Sequence, residues 1–369
     1  MSATRAVDLE DGEGLLAADR DGLLRAAASA GAQVRAIDAA AEEGELDPLR
    51  AGHPPRSVIW VAVRGPAETA GAILAATLGG QLCAPIAVVG EAPPWVGPLD
   101  VLIVAGDDPG NPALVTSAAT GVRRGARVAV VAPFEGPLRD STAGRVAVLA
   151  PRLRVPDEFG LCRYLAAGLA ALRTVDPKTG IDLGRLADEL DAEALRDSAG
   201  RDLFTNPAKI IAARTSGHRV ALAGDCAATL AVARHGSSIL LRIAREVVAA
   251  AGLADAVAAL LPGGRVPDRF SGSRPPVDAL FHDEQIDGAL PERLRVLALT
   301  LATERTAVGA RVAVAGDVHL VCAEDLPDAS GGPASGERVP ASEGSAWQQL
   351  AVLALRLEMA AVYLRLVRG

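Results

Sequence analysis

Two strand–loop–helix units carry residue types that could hold an anion. The first runs from Ser57-Val58-Ile59-Trp60-Val61-Ala62-Val63 into Arg64-Gly65-Pro66-Ala67-Glu68-Thr69. The second runs from Asp100-Val101-Leu102-Ile103-Val104-Ala105 into Gly106-Asp107-Asp108-Pro109-Gly110-Asn111-Pro112. A glycine turn that opens a helix presents free backbone N–H groups and the positive end of the helix dipole, and both attract phosphate. Neither loop has the serines that would complete such a cradle. Glu68, Asp107 and Asp108 stand there instead, and carboxylates repel phosphate. Gly65, Thr69, Gly110 and Asn111 are the expected ligand contacts in these loops. Two more segments could meet an anion. A helix starting at Ser237 or Ser238, in His235-Gly236-Ser237-Ser238, would have a hydroxyl cap and free amides. In Ser271-Gly272-Ser273-Arg274, the Arg274 guanidinium could grip a phosphate.

These groups need a scaffold, and the apolar runs describe one. Val58–Val63, Ala84–Val89, Val101–Val104 and Val128–Val131 read as buried strands, with Arg145–Leu149 as a fifth. Helical stretches Glu68–Leu78 and Pro112–Arg124 lie between them. Strand and helix alternating through short loops predicts a doubly wound parallel sheet. Leu161–Leu172 reads as a very apolar crossing helix, Ile181–Ser198 as an amphipathic one, and Asn206-Pro207 as the start of another. The pattern then repeats. Strands are expected at Arg219–Ala223, Asp278–Phe281, Arg295–Leu301 and Ala310–Val314, with helices at Ala227–Arg234 and Ser237–Ala251 and a helical or turn segment at Leu290–Arg293. Glu324–Ser345 reads as an exposed loop. Trp347–Val367 reads as a strongly apolar helix that must pack on a domain or a second subunit.

Composition narrows the function classes. The 369 residues are 50% hydrophobic, enough for two ordinary domains. A net charge of −8 argues against a nucleic-acid partner. No apolar run reaches membrane-spanning length, so no membrane partner is expected. The acidic N-terminus lacks a secretion pattern, which predicts a cytoplasmic protein. Cys83, Cys162, Cys226 and Cys322 lie far apart in apolar surroundings and are expected to be buried free thiols, with no zinc site. No P-loop lysine motif and no strict Gly-x-Gly-x-x-Gly is present, and no cofactor is expected.

Five segments in order carry a family resemblance: Pro94-Trp95-Val96-Gly97; Gly106 to Thr116 with its Gly110-Asn111 pair; Asn206-Pro207-Ala208-Lys209; Phe281-His282-Asp283-Glu284-Gln285-Ile286; and the ending Ala361-Val362-Tyr363-Leu364-Arg365-Leu366-Val367-Arg368-Gly369. Over about residues 55 to 369 the chain resembles the bifunctional phosphoglucose/phosphomannose isomerases, proteins of two SIS (sugar isomerase) domains. The resemblance implies an α/β fold of two SIS-type doubly wound parallel-sheet domains with flanking helices. The expected division is an acidic helical segment over 1–54, a first SIS domain over 55–160, linking helices over 161–205, a second SIS domain over 206–323, an exposed loop over 324–346 and a C-terminal helix over 347–369. It implies a homodimer and a sugar-phosphate ligand. It also implies that His282 opens the sugar ring, with Glu284 at the matching distance.

Aldose–ketose isomerisation needs a base to move a proton between C1 and C2, and groups to stabilise the enediolate. The position that the resemblance gives to the glutamate base is Leu241, and the nearest carboxylate, Glu246, lies more than one helical turn beyond. The position of the family's stabilising arginine falls near Phe159, with Arg163 close by. Two functions therefore stay open. One is a glucose-6-phosphate or mannose-6-phosphate isomerase-like enzyme with a rearranged site. The other is a non-catalytic SIS protein that binds a sugar phosphate or a protein partner and regulates, or assembles with, a sugar-phosphate enzyme.

Overall fold

The computed structural model describes residues 7–260, 294–313, 315–323 and 345–369. Helices α1 (Gly12–Ala18), α2 (Leu23–Ala27) and α3 (Ala30–Glu42) lead into the first sheet. That sheet is built from β1 (Ser57–Val61), α4 (Gly65–Leu78), β2 (Ile86–Val89), β3 (Asp100–Ala105), α5 (Pro112–Arg123), β4 (Arg127–Val131), α6 (Gly136–Thr142) and β5 (Ala147–Val148). Helices α7 (Leu161–Val175), α8 (Leu183–Arg196) and α9 (Pro207–Thr215) connect it to the second. There β6 (Arg219–Gly224), α10 (Ala227–Ala244), β7 (Ala249–Gly252), α11 (Leu253–Leu260), β8 (Leu294–Thr300), α12 (Arg305–Val312) and β9 (Val318–Cys322) precede α13 (Ala346–Arg368).

Both sheets are parallel throughout, in the orders β2-β1-β3-β4-β5 and β7-β6-β8-β9. In the first, Val58 pairs with Ile86 on one side and Val101 on the other. Alternation along each strand sends side chains to two cores. Val58, Trp60, Val101 and Ile103 join the large central core, whereas Ile59, Val61, Leu102 and Val104 join a smaller one with Leu114 of α5 and Leu138 of α6. The second sheet divides likewise: Val220, Leu222, Leu297 and Leu299 face the central core, and Ala221, Ala223, Val296 and Ala298 pack with Leu253 and Val308. Helices α4, α7, α10 and α13 supply the central core between the sheets. Parallel strands covered on both faces need continuous apolar runs, and β1 and β3 are buried at every residue.

Glycines let these helices approach. A Cβ at Gly71 of α4 would lie 2.3 Å from Trp60 Cδ1, and one at Gly236 of α10 would lie 2.6 Å from Leu222 and 2.9 Å from Leu357. Gly236 is therefore a packing residue inside one continuous helix. The break expected between Arg234 and Ser237 does not occur, and the residues expected to extend a second helix form β7 instead. Of Ala310–Val314, expected as a strand, the first three residues end α12 and Val314 lies outside the described residues, while β9 follows at Val318–Cys322. Asp278–Phe281 and Leu290–Arg293 lie outside the described residues.

The apolar C-terminal helix is buried from Trp347 to Leu364 within its own chain, against α8, α9 and α10 among others. Its hydrophobicity thus gives no argument for a second subunit. Two of its buried positions are charged. Arg356 places Nε 2.6 Å from Glu193 Oε1 on α8 and donates to the carbonyls of Cys322 and Ala323 at 2.7 and 2.8 Å. The Asn206-Pro207-Ala208-Lys209 segment serves the same junction. Asn206 caps α9 by accepting from Lys209 N, and Lys209 Nζ donates to the carbonyls of Ala199 and Arg201. None of the four cysteines forms a disulfide, as expected, but only Cys162 and Cys322 are buried; Cys83, in the loop after α4, and Cys226, at the N-cap of α10, are exposed.

Asp197 adds a pH dependence to this junction. Its Oδ1 accepts from Ala208 N at 3.0 Å and its Oδ2 is buried without a partner among the described residues. Burial, and then the charge of Glu193, push its carboxyl from 3.8 up to about 7. Between these two values the fold holds a proton that the unfolded chain has lost, so its contribution to stability falls as pH rises from about 3.8 to about 7. Asp197→Asn keeps an acceptor for Ala208 N–H and is expected to flatten that slope. Urea unfolding at several pH values checks this, and an unchanged slope in the variant would refute it.

Candidate functional site

A cavity of about 190 Å3 opens where the first turns of α4 meet the middle of α10. From the first half come Gly65, Pro66, Glu68, Thr69 and Glu158; α10 supplies Arg234, His235, Ser238, Ile239 and Arg242. Its α4 wall is the turn after β1. Strand β1 lies beside β2 and β3, at the point where the chain's winding reverses, which is where open α/β sheets bind ligands.

The turn needs its glycine: Gly65 has φ +67°, a left-handed conformation that side chains disfavour. Arg64 at the N-cap gives α4 no side-chain cap and Pro66 occupies the first turn, so side chains leave the helix start uncapped. Across the cavity, Arg234, Ser238 and Arg242 recur every four residues and share one face of α10. Arg242 Nη2 lies 2.6 Å from Glu158 Oε1. Arg234 is exposed and makes no hydrogen bond or ion pair with any described residue.

Below that face, His235 Nε2 lies 2.9 Å from Glu358 Oε1 on α13. Both side chains are almost fully buried, at 3% and 1% exposure. Burial raises the Glu358 carboxyl above the usual carboxylate range, opposed by the hydrogen bond and charge of His235. Behind Gly65, Asp157 Oδ1 accepts from the Tyr164 hydroxyl at 2.7 Å, and burial raises this carboxyl too.

The second loop after a strand is filled by its own side chains. Gly110 N donates to Asp108 Oδ1 at 2.8 Å, and Ala113 N and Leu114 N donate to Asn111 Oδ1. Asp107 pairs with Arg64 at 3.0 Å, joining the two loops. The amides of Gly110, Ala113 and Leu114 are thereby already engaged.

The cavity thus gathers Gly65, Thr69 and Ser238 from the expected contacts. Gly110 and Asn111 do not line it. Ser237 lies inside α10, where no free helix-start amides exist, and donates its hydroxyl to Val248 O at 2.5 Å. Arg274, His282 and Glu284 lie outside the described residues. Leu241 is 53% exposed and does not line the cavity, whereas its neighbour Arg242 does. Phe159 is buried, and Arg163 lies over the Tyr164 ring at 4.1 Å without lining the cavity. The sequence reading missed Arg234, Arg242 and Glu158, and it treated His235 only as part of a helix cap; the four-residue spacing on α10 is the signal that could have found the arginines. Among the described residues no His, Cys, Asp and Glu cluster could hold a metal, and no helix is long and apolar enough to cross a membrane.

No family model matches this chain, and no curated protein matches it by sequence. Solved structures do match. A Clostridium difficile protein described provisionally as a phosphosugar isomerase has a TM-score of 0.60 at 10% identity, over 92% of each chain. Tagatose-6-phosphate ketose/aldose isomerase from Escherichia coli has a TM-score of 0.58 at 12% identity, over 98% of this chain and 93% of that one. The C-terminal domain of glucosamine-fructose-6-phosphate aminotransferase from Francisella tularensis has a TM-score of 0.55 at 11% identity, over 96% of each. At such identities the likeness is one of fold: two parallel sheets flanked by helices, as in SIS-type phosphosugar isomerases.

Proposed function

We propose that this chain is a phosphosugar-binding protein of the aldose–ketose isomerase-like kind, with the sugar phosphate seated between α4 and α10. The observation that carries this reading is Arg234, a cation with no described partner. It shares one helix face with Ser238 and Arg242, opposite the uncapped start of α4. A phosphate would gain charge-assisted hydrogen bonds from the guanidinium and hydroxyl, and Glu68 and Glu158 would accept from sugar hydroxyls. Glucose 6-phosphate and mannose 6-phosphate, with fructose 6-phosphate as their common ketose, are the substrates that the resemblance names.

A ligand that binds only the folded state raises its stability. Thermal unfolding with these three sugar phosphates should therefore show a rise in midpoint, with none from glucose, mannose or fructose. No rise with any of the phosphates would overturn the reading. A second reading, binding without turnover in a protein that regulates or assembles with a sugar-phosphate enzyme, is favoured by exposed Leu241 at the place the resemblance gives to the base. The two readings part on whether a bound sugar exchanges a carbon-bound proton.

A further inference from the structure

We propose that His235, oriented by Glu358, is the proton-moving base of this cavity. The inference rests on the phosphosugar reading above and assigns the proton transfer that Leu241 cannot perform. The pair joins α10 to α13, and His235 is the one member of it that lines the cavity. When Nε2–H donates to an ionised Glu358, the lone pair lies on Nδ1, which makes no hydrogen bond to any described residue. A carboxylate that fixes an imidazole's tautomer and steadies the imidazolium is the arrangement used by histidine bases elsewhere. If the pair served only to join two helices, it would have no need to border a cavity whose walls also carry Arg234, Ser238 and Arg242.

The step balances without a co-reactant. In open-chain fructose 6-phosphate, the imidazole takes a proton from C1. The C–H electron pair becomes the C1–C2 double bond of an enediolate, and negative charge moves to O2. The imidazolium returns the proton to C2 while the hydroxyl proton on O1 is lost and one is regained at O2. C1 is thereby oxidised to the aldehyde and C2 reduced to the alcohol. His235 is the catalytic residue and Glu358 a positioning residue.

The test is deuterium incorporation into fructose 6-phosphate in D2O, followed by proton NMR, with binding of the same sugar phosphate measured in parallel. Wild type is expected to exchange. His235→Gln should lose at least about 100-fold, the scale of a general base, while still binding fructose 6-phosphate. Glu358→Gln should lose about 10-fold with binding kept. His235→Ala should regain exchange when free imidazole is added, which a purely structural histidine would not allow. Binding without exchange in wild type would overturn the inference and leave the binding reading standing. Exchange undiminished in His235→Gln would also overturn it. Absence of binding would remove both.

Discussion

Arg356→Met should lower the free energy of unfolding by about 3 kcal/mol, the cost of leaving one member of a buried ion pair without the other. Arg356 and Glu193 are 1% and 0% exposed in their side chains, and the guanidinium also satisfies the carbonyls of Cys322 and Ala323. Methionine fills much of the volume but offers no donor, so a carboxylate and two carbonyls lose their partner in the core. Arg196, half-buried beside Glu193, retains part of the compensation. Adding Glu193→Gln to the variant removes the stranded charge and should recover part of the loss. Urea unfolding followed by circular dichroism measures both. A single variant as stable as wild type would show that this pair does not hold α13 to α8 and β9.

The first sheet was legible because its strands are runs such as Ser57–Val61 and Asp100–Ala105, and runs buried on both faces need no alternation to be recognised. Strand β7 was not legible: Ala249-Ala250-Ala251-Gly252 carries no β-branched or aromatic residue, and pairing with β6 alone makes it a strand. The length of α10 was hidden by Gly236, which reads as a helix end although its role is to admit Leu222 and Leu357. That one misreading divided Arg234 from Ser238 and Arg242 and concealed the face they share. Gly65 and Thr69 were found because a glycine between a strand and a helix has a local signature. Glu358 had none, since it meets His235 from 123 residues away. The second cradle shows the opposite case. Its carboxylates predict repulsion of a phosphate, and Asp108 also occupies an amide that the phosphate would need.

Arg234→Glu should weaken binding of fructose 6-phosphate by about 100-fold, through loss of one charge-assisted contact and gain of a repulsive charge. The residue is exposed and has no described partner, so the fold should tolerate the change with an unaltered unfolding midpoint. Arg219→Glu offers a control of the same charge change, at an exposed residue that does not line the cavity. Calorimetric titration of fructose 6-phosphate into wild type and these two variants measures whether Arg234 holds the phosphate. Saturable binding to wild type and Arg219→Glu, weakened about 100-fold only in Arg234→Glu, is the result the cavity predicts. Equal affinity in all three proteins would contradict it.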